Sequence, residues 1–297
     1  MLSISSHATP FCTNAILISG SARSGTTLVG KLIHSMEKVE YTFEPPMLVA
    51  LLALIKDIDE HSWKLLYETY LYEEFFLNSI AGRAINCNIE DDSSIYKVKT
   101  IQEIGIRLRN YSTKKVTQQR SVGSVIAFKI PDVIYVIPKL KEYYPSMRVL
   151  TVLRDAVDTI NSLMAKNWFS LETKNSDLIW PFTIQNGANI PYWVKEGDEA
   201  AWIAMSELDR AAYYYIRVNE KVTEIPDRIE IKYSDIMKNP LMEAERIAEV
   251  LNLNFGGMTK KIIKGIARTE IPRNKQIISG IRSDLREKVV YYSSRCT

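Results

Sequence analysis

Residues 16–33 read ILISGSARSGTTLVGKLI, and the interpretation of this stretch decides the fold. An apolar run with two Ile residues leads into Gly20, and after four intervening residues comes Gly25. That is the spacing of a phosphate-binding loop between a buried strand and a helix. A nucleoside-triphosphate loop would continue with Lys and then Ser or Thr. Here Thr26 and Thr27 follow, and the basic residue, Arg23, sits inside the loop. Backbone N–H groups before a helix N-terminus favour an anion. Ser24, Thr26 and Thr27 add hydroxyl donors, and Arg23 adds a permanent charge with a planar fork of donors. A triphosphate with Mg²⁺ is poorly served, because the next lysine, Lys31, lies over a turn further along the helix. A nucleotide with fewer phosphate charges at the loop, needing no metal, fits better.

Outward from this loop, short β-branched runs alternate with helical patterns. Strands are expected at 15–20, 39–44, 125–130, 148–154 and 229–233. Helices are expected at 26–36, after Pro45-Pro46, through 131–144, at 155–166, at 198–220 and at 239–253. Residues 60–120 read as largely helical, 110–124 as a loop, and the aromatic stretch 167–197 as an irregular lid or substrate wall. The pattern implies an α/β fold of three layers around a central parallel sheet, forming a single domain over residues 1–297. In such sheets ligands bind beyond the carboxyl ends of the strands. There the expected strands carry Glu44, Lys129 and Arg154, beside the Gly-rich loop. Asp155 reads as the N-cap of the helix that follows Arg154.

Composition narrows the function. The 297 residues carry a net charge of +3, which exerts no general pull toward nucleic acid. Three scattered cysteines and three scattered histidines match neither a disulfide framework nor a metal-ligand spacing. No apolar run is long enough to span a membrane, and the first one leads into the Gly-rich loop as a core strand would. A cytoplasmic enzyme using no metal is the expectation.

Three motifs, in order, resemble the sulfotransferases that use 3′-phosphoadenosine 5′-phosphosulfate (PAPS). ISGSARSGTTLVGKLI is similar to the 5′-phosphosulfate loop, in the variant with Arg that tyrosylprotein and many bacterial members carry. YYPSMRVLTVLRDAVDTINSLM is similar to the 3′-phosphate motif, with Arg154 at the strand end and Ser162 eight residues on. IEIKYSDIMKNPLMEAERIAEVLNL is similar to the family's Tyr-Glu-Asp-Leu strand and helix, with Tyr233 in place. Ala156 stands where the family often has Pro, Ser234 where it has Glu, and the C-terminal Arg-Lys-Gly segment has only Arg273 and Lys275 as substitutes.

The resemblance implies a P-loop-like sulfotransferase fold and roles for the matching residues. Arg23 would stabilise the 5′-phosphate leaving group, while Ser24, Gly25, Thr26 and Thr27 cradle it. Arg154 and Ser162 would bind the 3′-phosphate. Tyr233, Arg273 and Lys275 would contact the rest of the nucleotide. Glu44 would be the base, and Lys129 would neutralise the transferring sulfuryl group. The co-substrate would be PAPS and the product adenosine 3′,5′-bisphosphate, with no metal. The acceptor would be a hydroxyl, amine or carbamoyl nitrogen of a small molecule, in natural-product tailoring. Residues 40–75 and 167–200 would wall its pocket with Tyr41, Phe43, Trp168, Trp180, Tyr192, Trp193 and the acids Asp198 and Glu199. Aromatic faces with carboxylates suit a cationic or polycyclic molecule, such as a guanidinium toxin of the saxitoxin group. A P-loop ATP-dependent kinase or phosphotransferase is the alternative, and a non-catalytic nucleotide-binding relative a third reading.

Overall fold

The computed structural model describes residues 7–109, 113–131, 133–170, 182–266 and 275–296. Seven strands are described: β1 Ile16–Gly20, β2 Val39–Phe43, β3 Val125–Lys129, β4 Arg148–Leu153, β5 Phe182–Gln185, β6 Ala188–Pro191 and β7 Ile229–Lys232. Five of them form one parallel sheet in the order β2-β3-β1-β4-β7. All five are the strands expected from the sequence. β1 lies at the centre and is buried along its whole length, as a strand covered on both faces must be.

The two-residue period of the strands separates two apolar layers. Ile16 and Ile18 of β1, Ala127 of β3 and Leu150 and Val152 of β4 face the helices Thr26–His34 and Pro240–Leu251. Leu17, Ile126, Phe128, Val149 and Leu153 point to the opposite side. There they join the layer built by Pro46–Ala53, Glu60–Glu68, Ile137–Tyr143, Ala156–Met164 and Glu207–Val222. The fold is therefore the expected three-layer α/β arrangement.

Several local expectations are corrected. The stretch 198–220 is two helices, Glu199–Ala204 and Glu207–Val222. Ser206 divides them: its Oγ accepts the Asp209 N–H at 3.1 Å and donates to Asp209 Oδ2 at 2.7 Å, a cap that starts a new helix. The stretch 131–144 is a 3-10 turn, Val133–Tyr135, followed by the helix Ile137–Tyr143. Pro138 fits only in a first helical turn, where its missing N–H costs nothing. Inside the expected loop 110–124, Lys114–Arg120 is helical and starts at Thr113, whose side chain caps it. The aromatic stretch 167–197 contains the antiparallel hairpin β5–β6. Its turn is Asn186-Gly187, both with left-handed φ (50° and 74°), the conformation that a two-residue hairpin requires. Between 60 and 120, the chain is helical at Glu60–Glu68, π-helical at Thr69–Leu77 and helical again at Ile101–Arg109. Much of 81–100 between these is irregular. Among the described residues, no helix is long and apolar enough to cross a membrane.

Candidate active site

The carboxyl ends of β1, β2, β3 and β4 open onto one cavity of about 520 Å³. β1 delivers the Gly-rich loop. Gly20 has φ 143°, and a Cβ there would come within 2.6 Å of the Val152 carbonyl oxygen on β4. Gly25 has φ 105° and precedes the first helical residue, Thr26; a Cβ there would overlap the Tyr233 ring. Both positions therefore admit only glycine, one for packing on the sheet and one for packing on a cavity wall. Arg23 also adopts a left-handed φ of 67°, which is costly for a side chain with a Cβ.

β4 delivers Arg154 to the same place. Its guanidinium donates to the Arg23 carbonyl at 3.1 Å and pairs with Asp158 at 3.2 Å. It also lies 4.3 Å from the centre of the Tyr233 ring. Asp155 caps the following helix by accepting the Asp158 N–H at 3.0 Å, as expected. Burial raises the Asp155 carboxyl above its ordinary range, against the lowering pull of the Asp158 N–H. One helix turn further on, Ser162 Oγ accepts from Arg23 Nε at 2.9 Å. Arg23, Arg154 and Ser162 are thus one hydrogen-bonded group. Ser24 Oγ and Arg154 Nε are buried and make no hydrogen bond within the described residues. A buried polar atom left this way is costly unless water or a ligand completes it. A phosphate-bearing ligand fits this donor set.

β2 and β3 supply the third part. Their register places Phe43 opposite Lys129, so the next residue, Glu44, begins beside it. The Glu44 N–H donates to the Lys129 carbonyl at 3.0 Å, and the Glu44 carboxylate forms an ion pair with the Lys129 ammonium. The ammonium also lies 4.3 Å from the Phe43 ring centre. Glu44 takes a left-handed φ of 43° immediately before Pro45. A second costly backbone conformation thus carries a second ionisable residue of the cavity. The charged end of the pair faces a region walled by Phe43, Val49, Trp168 and Tyr192.

The other expected wall residues are arranged differently. Tyr41 is half-buried, its ring against His34 beneath the helix Thr26–His34, and Trp193 is buried among Trp202 and Tyr214. Asp198 accepts the Tyr213 hydroxyl at 2.7 Å, and Glu199 accepts the Gly197 N–H at 2.9 Å. Neither acid lines the cavity: a tyrosine hydroxyl from the helix Glu207–Val222 holds Asp198, and a local backbone N–H holds Glu199. Arg273 and Trp180 lie outside the described residues, as does the side chain of Lys275, which begins a short 3-10 turn, Lys275–Gly280. Among the described residues, no three His, Cys, Asp or Glu side chains converge as a metal-ligand group.

Sequence reasoning did not single out Asp158 as the partner of Arg154. The signal was present as an acidic residue four positions after a basic one, at the start of a helix. It also did not single out Tyr214, whose hydroxyl accepts the Ala22 N–H of the loop at 2.6 Å across a separation of 192 residues. No spacing rule finds such a contact.

A profile described as the sulfotransferase family matches residues 15–256. Among solved structures, a sulfotransferase of Mycobacterium avium matches at a TM-score of 0.46 and 13% identity, covering 95% of this chain and 76% of that one. A sulfotransferase of Alicyclobacillus acidocaldarius matches at 0.42 and 12%, covering 95% and 92%. One from Mycobacterium tuberculosis matches at 0.42 and 11%, covering 95% and 76%. A search of curated proteins found no match.

Proposed function

The chain belongs to the sulfotransferase family, and from that premise we propose that it moves a sulfuryl group from PAPS to a small-molecule acceptor by direct in-line displacement. One observation carries the reading: the anion-binding loop, Arg154 and the Glu44–Lys129 pair open onto a single cavity, and Ser162 is joined to that group behind the lining through Arg23. The loop amides, Ser24, Thr26 and Thr27 cradle the 5′-phosphate of the donor. Arg154 and Ser162 hold its 3′-phosphate, and Tyr233 flanks the nucleotide.

Glu44 takes the proton from the acceptor hydroxyl or nitrogen. The electron pair so freed forms the new bond to sulfur. The sulfur–oxygen bond to the 5′-phosphate breaks, and its electrons stay on adenosine 3′,5′-bisphosphate as it leaves. Arg23 neutralises the charge that grows on the leaving phosphate, and Lys129 that on the sulfuryl oxygens. Fixed donors aimed at developing charge are worth roughly 3–4 kcal/mol each in comparable sites. The step uses no metal and no covalent enzyme intermediate.

Phe43, Trp168 and Tyr192 on the acceptor side support a flat, polycyclic or cationic natural product. A guanidinium toxin of the saxitoxin group is the first acceptor to try, with Glu44 as the one carboxylate of the expected set that lines the cavity. The free thiols of Cys12, Cys87 and Cys296 support work in a reducing compartment, the cytoplasm.

Thermal stabilisation tests the donor. A ligand held at 100 times its Kd adds about 2.7 kcal/mol to native stability. Adenosine 3′,5′-bisphosphate is expected to raise the melting temperature without added metal, and PAPS to support turnover with an acceptor. Stabilisation by Mg-ATP alone would show an ATP-dependent phosphotransferase instead.

A further inference from the structure

Two consecutive tyrosines on the helix Glu207–Val222 touch the two anion-binding elements from behind. Tyr214 and Tyr215 are both fully buried. The Tyr214 hydroxyl accepts the Ala22 N–H of the Gly-rich loop at 2.6 Å. The Tyr215 hydroxyl donates to the Arg154 carbonyl at 3.0 Å. In front, the same two elements are joined by Arg154 donating to the Arg23 carbonyl and by Arg23 donating to Ser162. The result is a closed circuit: loop, arginine turn and helix are bonded to one another on both sides. Neighbouring positions on a helix diverge by about 100°, so one rigid element reaches two targets at a fixed separation.

We infer that Tyr214 and Tyr215 are positioning residues that set the distance between the 5′-phosphosulfate loop and the 3′-phosphate arginine. The inference rests on the donor reading above. PAPS presents its two phosphate groups on one rigid ribose, so the two cradles must be held in register to bind both ends. The front contacts alone cannot supply that register, because Arg154 and Ser162 are the groups that must turn to the incoming phosphate. The tyrosines touch backbone atoms of the loop and of the arginine turn, so they hold the frame while the side chains exchange partners.

Each tyrosine also has a second anchor. The Tyr214 ring packs 5.0 Å from Trp193 and 5.6 Å from Phe169, beside the cavity residues Tyr192 and Trp168. The Tyr215 hydroxyl lies 3.6 Å from Cys296 Sγ, beyond the C-terminal helix Ser283–Ser294. Ser293 Oγ in that helix accepts the Ala156 N–H, two residues after Arg154. The chain's C-terminal helix thus buttresses the arginine turn.

The test is the ratio of affinities for adenosine 3′,5′-bisphosphate and adenosine 5′-phosphate, measured by calorimetry on the full chain. The wild type comes first: tighter binding of the bisphosphate supports the donor reading, and equal binding of the two overturns that reading. Tyr215→Phe keeps the ring and removes one hydroxyl. It is expected to weaken the bisphosphate about tenfold, the scale of one buried hydrogen bond, and to leave adenosine 5′-phosphate unchanged, so the ratio falls. Tyr214→Phe is expected to weaken both nucleotides, the bisphosphate more than adenosine 5′-phosphate, because the loop it holds loses its register with Arg154, so the ratio falls here too. Cys296→Ala leaves the Tyr215 donor in place and is expected to keep the wild-type values. If the wild type discriminates but Tyr215→Phe lowers both affinities equally, or changes neither, the positioning role is overturned. A ratio that falls as far in Cys296→Ala as in Tyr215→Phe overturns it too, because packing of the tail would then carry the effect.

Discussion

The two ends of the helix Thr26–His34 are finished in opposite ways. Its N-terminus follows Gly25 and faces the cavity, where Ser24 Oγ is buried without a partner among the described residues. Its C-terminus is sealed by the protein itself. Ser35 Oγ donates to the Leu32 carbonyl at 2.6 Å, Thr259 donates to the Ser35 carbonyl at 2.9 Å, and Lys99 donates to the Met36 carbonyl at 2.7 Å. Lys99 is nearly fully buried, and a cation at this end also complements the helix dipole. Helix termini leave backbone groups that something must satisfy. Where protein atoms do so, the end is structural. Where they do not, and the end is polar and opens on a cavity, the end is open to an incoming ligand or to water.

The contrast can be attacked from both ends. The largest effect is expected just beside the open end, at Glu44→Gln. Losing a positioned base costs about 10²–10⁴ in rate, so kcat is expected to fall by that range while affinity for adenosine 3′,5′-bisphosphate stays. Near wild-type kcat would show that Glu44 is not the base. Next comes Arg23→Ala, which strips the charge from the open end. Its kcat is expected to fall about 10²–10³, on the scale of removing one donor from an oxyanion site. The urea midpoint is expected to hold, because Arg23 carries a left-handed φ that no packing requirement repays. A large stability loss would mean that the loop is structural and would break the contrast.

The smallest effect is expected at the closed end, with Lys99→Met. Burial lowers the Lys99 ammonium to about 8, against the opposing pull of Glu40 and Glu103. Between pH 8 and the usual lysine value near 10.5, the unfolded chain holds a proton that the native chain has lost. Native stability contributed through Lys99 therefore rises with pH across that window. The stability of the wild type relative to Lys99→Met is expected to rise likewise between pH 8 and 10.5 in urea titrations, with kcat little changed. A flat difference would place the Lys99 ammonium at its ordinary value.

Much of this was legible in the chain, for reasons that differ by region. The strands of the parallel sheet are short apolar runs ended by Gly, Pro or a charge, and burial on both faces leaves a strong signal. The hairpin β5–β6 has its signal too, in Asn186-Gly187, within a stretch whose aromatic content equally suits an irregular lid or wall. The break at Ser206 was a capping signal, Ser followed three residues later by Asp, inside an otherwise continuous helical pattern. Asp198 and Glu199 were misplaced because composition reports that an acid is near a wall but not which way it turns. Here a tyrosine hydroxyl and a backbone N–H claimed them.

By itself the sequence determined the loop, the layer order of strand and helix, and which ionisable residues stand at strand ends. Those depend on residues close together in the chain, through turn chemistry and periodicity. Only the tertiary structure decided that Glu44 pairs with Lys129, that Arg154 clasps the Arg23 carbonyl, and that two buried tyrosines hold the loop and the arginine turn from behind. These contacts span 61 to 192 residues. They follow from sheet order and register, which are properties of the packed core and leave no mark in local spacing.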